Sequence, residues 1–150
     1  MALGMAATIR IGFKVGANEI TSARTSALIA FFATAIVAIS GSILIYLFKE
    51  VLVILYTTEQ AVMSLSITLL LFVVFFLFFD AAQSVCVGAL RGYKDTKVPM
   101  WLAIFSYWGI GLPTQILFGF GYIGEPMGVY GFWLGLAAGV GTAAILLGTR

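Results

Sequence analysis

From Ala27 to Phe48 the chain carries no charged residue. Apolar positions follow one another there without the every-second alternation of a barrel strand. Three more such stretches come after it: 61–90, 98–122 and 127–149. Each has the roughly 20 residues that a helix needs to cross a bilayer. Backbone polar groups in lipid must be satisfied within the segment, so unalternating runs of this length predict four transmembrane helices. The second stretch is longer than a span requires, which predicts a tilt or an interfacial start.

The first residues differ. MALGMAATIR has no basic residue ahead of its apolar part, so it lacks the pattern of a signal peptide. Its apolar part is too short to span. It reads as the end of a helix that begins upstream, and the chain as a fragment of a longer protein.

Composition places the chain in the same class. Apolar residues make up 62% and charged residues 9%, against about a quarter charged in soluble domains. A soluble surface cannot be built from so few charges. The net charge of +2 leaves no footprint for nucleic acid. Histidine is absent, which removes the commonest metal ligand and general base. Cys86 is the single cysteine and reads as a small packing residue. There is no phosphate-binding glycine loop, no Ser, His and Asp set and no zinc-ligand cluster. These absences argue against an enzyme and against a resident cofactor.

The connections carry nearly all the charge. Residues 10–24 hold Arg10, Lys14 and Arg24; residues 91–97 hold Arg91, Lys94 and Lys97; the last residue is Arg150. Of the Lys and Arg residues, only Lys49 falls in the other set of connections, with Glu50, Glu59 and Glu125. The alternation fits an in–out–in–out–in path. The positive-inside rule then assigns residues 10–24, 91–97 and the C-terminus to the cytoplasm.

Within the spans one residue stands apart. Asp80 is the only charged residue between Gln60 and Leu90. It lies eleven residues before Arg91, about 16 Å along a helix, which puts it near the bilayer midplane. Such residues face protein or a water-filled cavity, and they mark ion and proton pathways. A carboxylate there can take up a proton or hold a small cation. Phe76, Gln83, Ser84 and Val87 share its helical face by spacing. Gln83 and Ser84 stand equally as oxygen ligands or as hydrogen-bonding contacts between helices. Phe76 is placed to line a cavity; the rest of the run Phe72 to Phe79 reads as packing or lipid-facing surface.

Pro113, inside GIGLPTQ, predicts a bend in the third span, either a hinge or a static kink. Gly131, Gly135 and Gly139 form a flat stripe on which another helix can pack closely. Trp101, Tyr107 and Trp108 read as partly interfacial anchors.

In order along the chain, GMAATIRIGFKVGA, DAAQSVCVGALRGYKDTKVPM, SYWGIGLPTQ and MGVYGFWLGLAAG resemble the MATE family (multidrug and toxic compound extrusion transporters), especially its NorM-like branch. The resemblance implies an all-α membrane protein of twelve helices in two lobes, of which residues 1–150 would be the end of the eighth helix and helices nine to twelve. It implies a multi-pass protein of the cell (inner) membrane whose C-terminus is cytoplasmic. The implied activity is export of cationic or amphipathic small molecules, driven by sodium ions or protons. The partners implied are the lipid bilayer and the missing helices of the N-terminal lobe. The coupling carboxylate of the family's tenth helix falls on Asp80, which would also be the sodium ligand. Some members carry an oxygen-bearing aromatic one turn earlier, where this chain has Phe76; that departure leaves proton coupling open. Two other readings remain: a lipid-linked oligosaccharide flippase of the same superfamily, and an inactive truncated membrane scaffold. The absence of Lys and Arg within the spans favours small cationic cargo over the flippase.

Overall fold

The computed structural model describes residues 2–150 and is helical throughout its long segments. α1 is Ala2–Gly16. α2 is Ile20–Ile54 and α3 is Gln60–Gly92. α4 runs over Lys97–Gly119 and α5 over Val129–Gly148. The last four are long and apolar enough to cross a membrane, and among the described residues there is no strand.

The helices outrun the apolar stretches. α2 has 35 residues, about 52 Å at 1.5 Å per residue, against a hydrocarbon core of roughly 30 Å. Hydropathy marks where lipid must be met; it does not mark where a helix stops. α2 therefore includes the polar turn Thr21–Thr25 before its apolar part and Lys49 and Glu50 after it. The reverse happens at the third span, which ends at Gly119 rather than at Tyr122. Gly121 has φ +77°, and a Cβ there would lie 2.7 Å from Pro126 N. Only glycine fits that turn.

α3 is the hub. α1 and α2 pack on one side of it and α5 on the other, and α4 reaches the bundle chiefly through α5. Ala7, Ile11 and Ala23 form a small core where α1, α2 and α3 meet, covered by Ala89 and Tyr93 among others. The outer faces are greasy and open, as lipid contact requires: Phe32, Ile36 and Leu47 on α2 are all well exposed.

Three basic segments come together at one end. Ile11 packs against Gly92, where an added Cβ would lie 2.8 Å from the isoleucine Cβ. Arg150 Nε donates to Asp95 Oδ2 at 2.9 Å. Lys14 Nζ donates to Ser22 Oγ at 3.0 Å across the α1–α2 turn. The alternation of charge seen in the sequence is thus a physical polarity of the bundle.

Candidate functional site

Asp80 lies in α3 with apolar helix on both sides of it along the chain. It is neither buried nor open. Its side chain borders two cavities. One, of about 500 Å³, lies between α1, α3 and α4 and is lined by Thr8, Asp80, Gln83, Ser84, Val87 and Tyr107, with Arg91 and Thr96 toward the basic end. The other, of about 340 Å³, lies between α1, α2 and α3, with Thr34, Gly41, Leu77 and Ser84 in its wall. Among the described residues no ion pair engages Asp80, whereas Asp95 has one. Arg91 shares the first cavity but stands about 16 Å further along the helix. At that distance, with an effective dielectric near 20, the attraction is only about 1 kcal/mol. The carboxylate is therefore held in a hollow rather than neutralised by contact.

The close approach of α1 places the wall of that hollow. Gly88 and Gly4 cross backbone to backbone, so closely that a Cβ on Gly88 would overlap the Gly4 carbonyl. Thr8 Oγ1 lies 2.8 Å from Gly88 O and 3.0 Å from Gly4 O, sharing one hydroxyl hydrogen between them.

The opposite wall is α4, and its backbone is irregular. Residues Phe105–Gly111 form a π-helical turn inside an otherwise α-helical span. The Leu112 N–H bonds to Tyr107 O, five residues back. Pro113 follows at once. It has no N–H to give and its ring crowds the preceding turn, so a widened turn is the local solution. The expected bend thus takes the form of a π-turn, a feature often found at functional sites.

That turn carries Tyr107 into the site. Its hydroxyl donates to Gln83 Oε1 at 2.8 Å, and Gln83 is buried. Tyr107 is therefore a contact between α3 and α4, not an interfacial anchor. Depth is the signal that would have found it. Gln83 stands eight residues before Arg91 and Tyr107 ten residues after Lys97, which are similar depths from one end. Gln83 and Ser84 both line the Asp80 cavity, as the spacing indicated. Phe76 does not: it packs edge-to-face on Trp133 of α5, with ring centroids 6.2 Å apart. Phe72, one turn earlier, packs against Tyr130 with tilted rings, centroids 5.9 Å apart. Phe76 sits at the border between the cavity face and the α5 face of α3, and the aromatic partner on α5 decides its direction.

An all-helical, multi-pass membrane protein with a lone carboxylate in a polar hollow is the class these features define. The family model described as MatE matches residues 1–117, and the chain belongs to that family. It is 38% identical to "Multidrug resistance protein MdtK" of Proteus mirabilis, over 100% of this chain and 33% of the relative. It is 40% identical to "Multidrug resistance protein PmpM" of Pseudomonas aeruginosa, over 99% of this chain and 31% of the relative. The crystal structure of the eukaryotic MATE transporter AtDTX14 superposes with a TM-score of 0.89 at 26% identity, covering 98% of this chain and 32% of that one. The chain spans about a third of the length of the curated relatives it matches.

Proposed function

We propose that residues 1–150 form the C-terminal part of a twelve-helix antiporter that exports cationic or amphipathic drugs in exchange for sodium ions or protons, with Asp80 as the acid that carries the coupling ion. The observation that carries this reading is the placement of Asp80: mid-helix, between two cavities, in a chain of the MatE family. The relatives' names, multidrug resistance proteins, support drugs as cargo; its cationic or amphipathic character rests on the absence of Lys and Arg within the spans. An antiporter needs a group that is stable both loaded and unloaded inside the membrane. A carboxylate without an ion pair meets that need, because binding a proton or a small cation removes the charge that burial penalises.

Of the two ions, the proton asks less of this site. Sodium needs several oxygens around it. Here Gln83 Oε1 already accepts from Tyr107, and Phe76 brings no oxygen and faces Trp133. Dye efflux by the full-length protein, driven by sodium and proton gradients separately, decides between them. Asp80→Asn keeps the size of the side chain and removes its titration. It folds at least as well as the original and loses gradient-driven efflux to background, measured per folded molecule. Normal ion-driven efflux from Asp80→Asn overturns the reading.

The basic end of the bundle is assigned to the cytoplasm on the charge bias of its connections, and the protein to the cell (inner) membrane on its membership of the MatE family. Single cysteines at Thr57 and Thr96 then label from opposite sides of the membrane. Labelling of both from outside would refute the orientation.

A further inference from the structure

On the side of α3 away from Asp80, α2, α3 and α5 enclose a groove of about 660 Å³. Its walls are apolar, with Leu28 on α2, Ala82 and Cys86 on α3 and Ala144 on α5, and its single charged lining residue is Arg150. The rim is open: Leu28 is 59% exposed and Ile145 63%. We propose that this groove is a binding site for one anionic phospholipid of the leaflet at the basic end.

Length, polarity and charge each point to that occupant. The α3 wall extends from Phe78 to Tyr93, fifteen helical steps, or about 22 Å at 1.5 Å per residue. One leaflet's share of the hydrocarbon core is about 15 Å. The groove therefore runs from headgroup level past the midplane, the reach of a lipid tail. Its apolar part lies deep, and Tyr93, Thr149 and Arg150 stand together at the mouth. Arg24, exposed on α2, lies one turn beyond Ala27 and Leu28 on the same helical face, so it adds a second positive charge there. Asp95 accepts from Arg150 Nε. That bond fixes the guanidinium and leaves its other N–H groups for a phosphate, since the group has five in all. Among the described residues no Asp or Glu side chain lines the groove itself. A second helix of this protein would also fill apolar space, but it would gain nothing from two arginines at headgroup level.

Native mass spectrometry of the full-length protein, offered phosphatidylglycerol or phosphatidylcholine, tests the site. The expected result is one phosphatidylglycerol retained in preference to phosphatidylcholine. Ala82→Phe fills the groove and removes that retention. Arg150→Gln, on a half-exposed side chain that does not threaten folding, lowers the affinity for phosphatidylglycerol about fivefold, the share of one basic residue near an anionic surface. The proposal is overturned if both lipids are held equally, or if Arg150→Gln leaves the preference unchanged. It is equally overturned if no lipid is retained because another helix or a second copy of the protein occupies the groove. Phosphatidylglycerol retained by a folded Ala82→Phe protein refutes it as well.

Discussion

The two faces of α4 are built on opposite principles. Toward α5 it is a seam of backbone on backbone. Gly131, Gly135 and Gly139 of α5 lie on Gly119, Gln115 and Gly111 of α4, so close that a Cβ on Gly135 would stand 2.8 Å from Gln115 Cα. Both stripes repeat every four residues, the spacing that lets two helices lie flat together. Toward α3, near Asp80, the same helix stands off across a cavity of about 500 Å³. One side chain, Tyr107, reaches over to Gln83. Dispersion holds the first contact and leaves no room to change it. A hydrogen bond and free space define the second, so its partners can exchange. The contrast teaches that this bundle joins α4 and α5 into one stiff pair and leaves α4 standing off from the carboxylate across open space.

The sharpest way to break that contrast is to wedge the seam. Gly135→Leu places a branched side chain where Gln115 already lies. Overpacking of this kind costs about 1–3 kcal/mol and occasionally more, and here the opposing atoms include the backbone N and Cα of Gln115 as well as its side chain, and the backbone cannot turn aside. The expected outcome is a marked loss of folded yield and a clearly lower Tm in detergent. An unchanged Tm would mean that the pair is loose in the membrane. At the cavity the expected response is the reverse: under the proposed coupling role, Asp80→Asn leaves folding intact and removes efflux.

The seam was legible in the sequence and much of the cavity was not. A GxxxGxxxG stripe states its purpose through spacing alone, and Gly131, Gly135 and Gly139 all pack as that spacing implies. Asp80 was legible because a charge within a span is costly. Gln83 and Ser84 followed from the helical period. Tyr107 and Thr8 do not follow from spacing within one helix, since each acts through a partner on another helix; for Tyr107 only its shared depth with Gln83 was there to be read. Phe76 went the other way for the same reason: Trp133 sets its direction, and Trp133 is 57 positions further along the chain. The π-turn is half readable. Pro113 announces a disturbance, but the form it takes depends on how α4 must lie to keep its glycines against α5.

A smaller perturbation sharpens the cavity side. Tyr107→Phe removes the hydroxyl and leaves the buried Gln83 oxygen without its donor. The loss is about 1 kcal/mol, within the range for one hydrogen bond with a stranded partner. Hydrogen bonds between membrane helices average somewhat less. Stability therefore falls slightly, whereas the ion dependence of efflux shifts, because the oxygen beside Asp80 becomes available as a ligand. If Tyr107 served only as structural glue, the ion dependence would stay where it was. Pairing Tyr107→Phe with Gln83→Leu checks the account, since replacing both partners by apolar groups restores most of the lost stability.

The smallest expected effect concerns Ser106, one residue from Tyr107 and fully buried. Its hydroxyl has no hydrogen-bond partner among the described residues. Its carbonyl oxygen, by contrast, sits at the tight side of α4: a Cβ added to Gly139 would lie 3.4 Å from it. Ser106 thus belongs to the seam although its neighbour belongs to the cavity, and in a seam held by packing a hydroxyl contributes nothing. A buried hydroxyl without a partner costs free energy relative to a methyl group. Ser106→Ala removes that cost and opens a void of only one oxygen atom. The expected result is a Tm equal to the original or a few degrees higher, corresponding to a gain of up to about 1 kcal/mol, with efflux unchanged. A drop in Tm would show that the hydroxyl is bonded after all, to water or to a part of the protein beyond these helices. The π-turn would then be held by a polar anchor rather than by the fit of glycine against glycine.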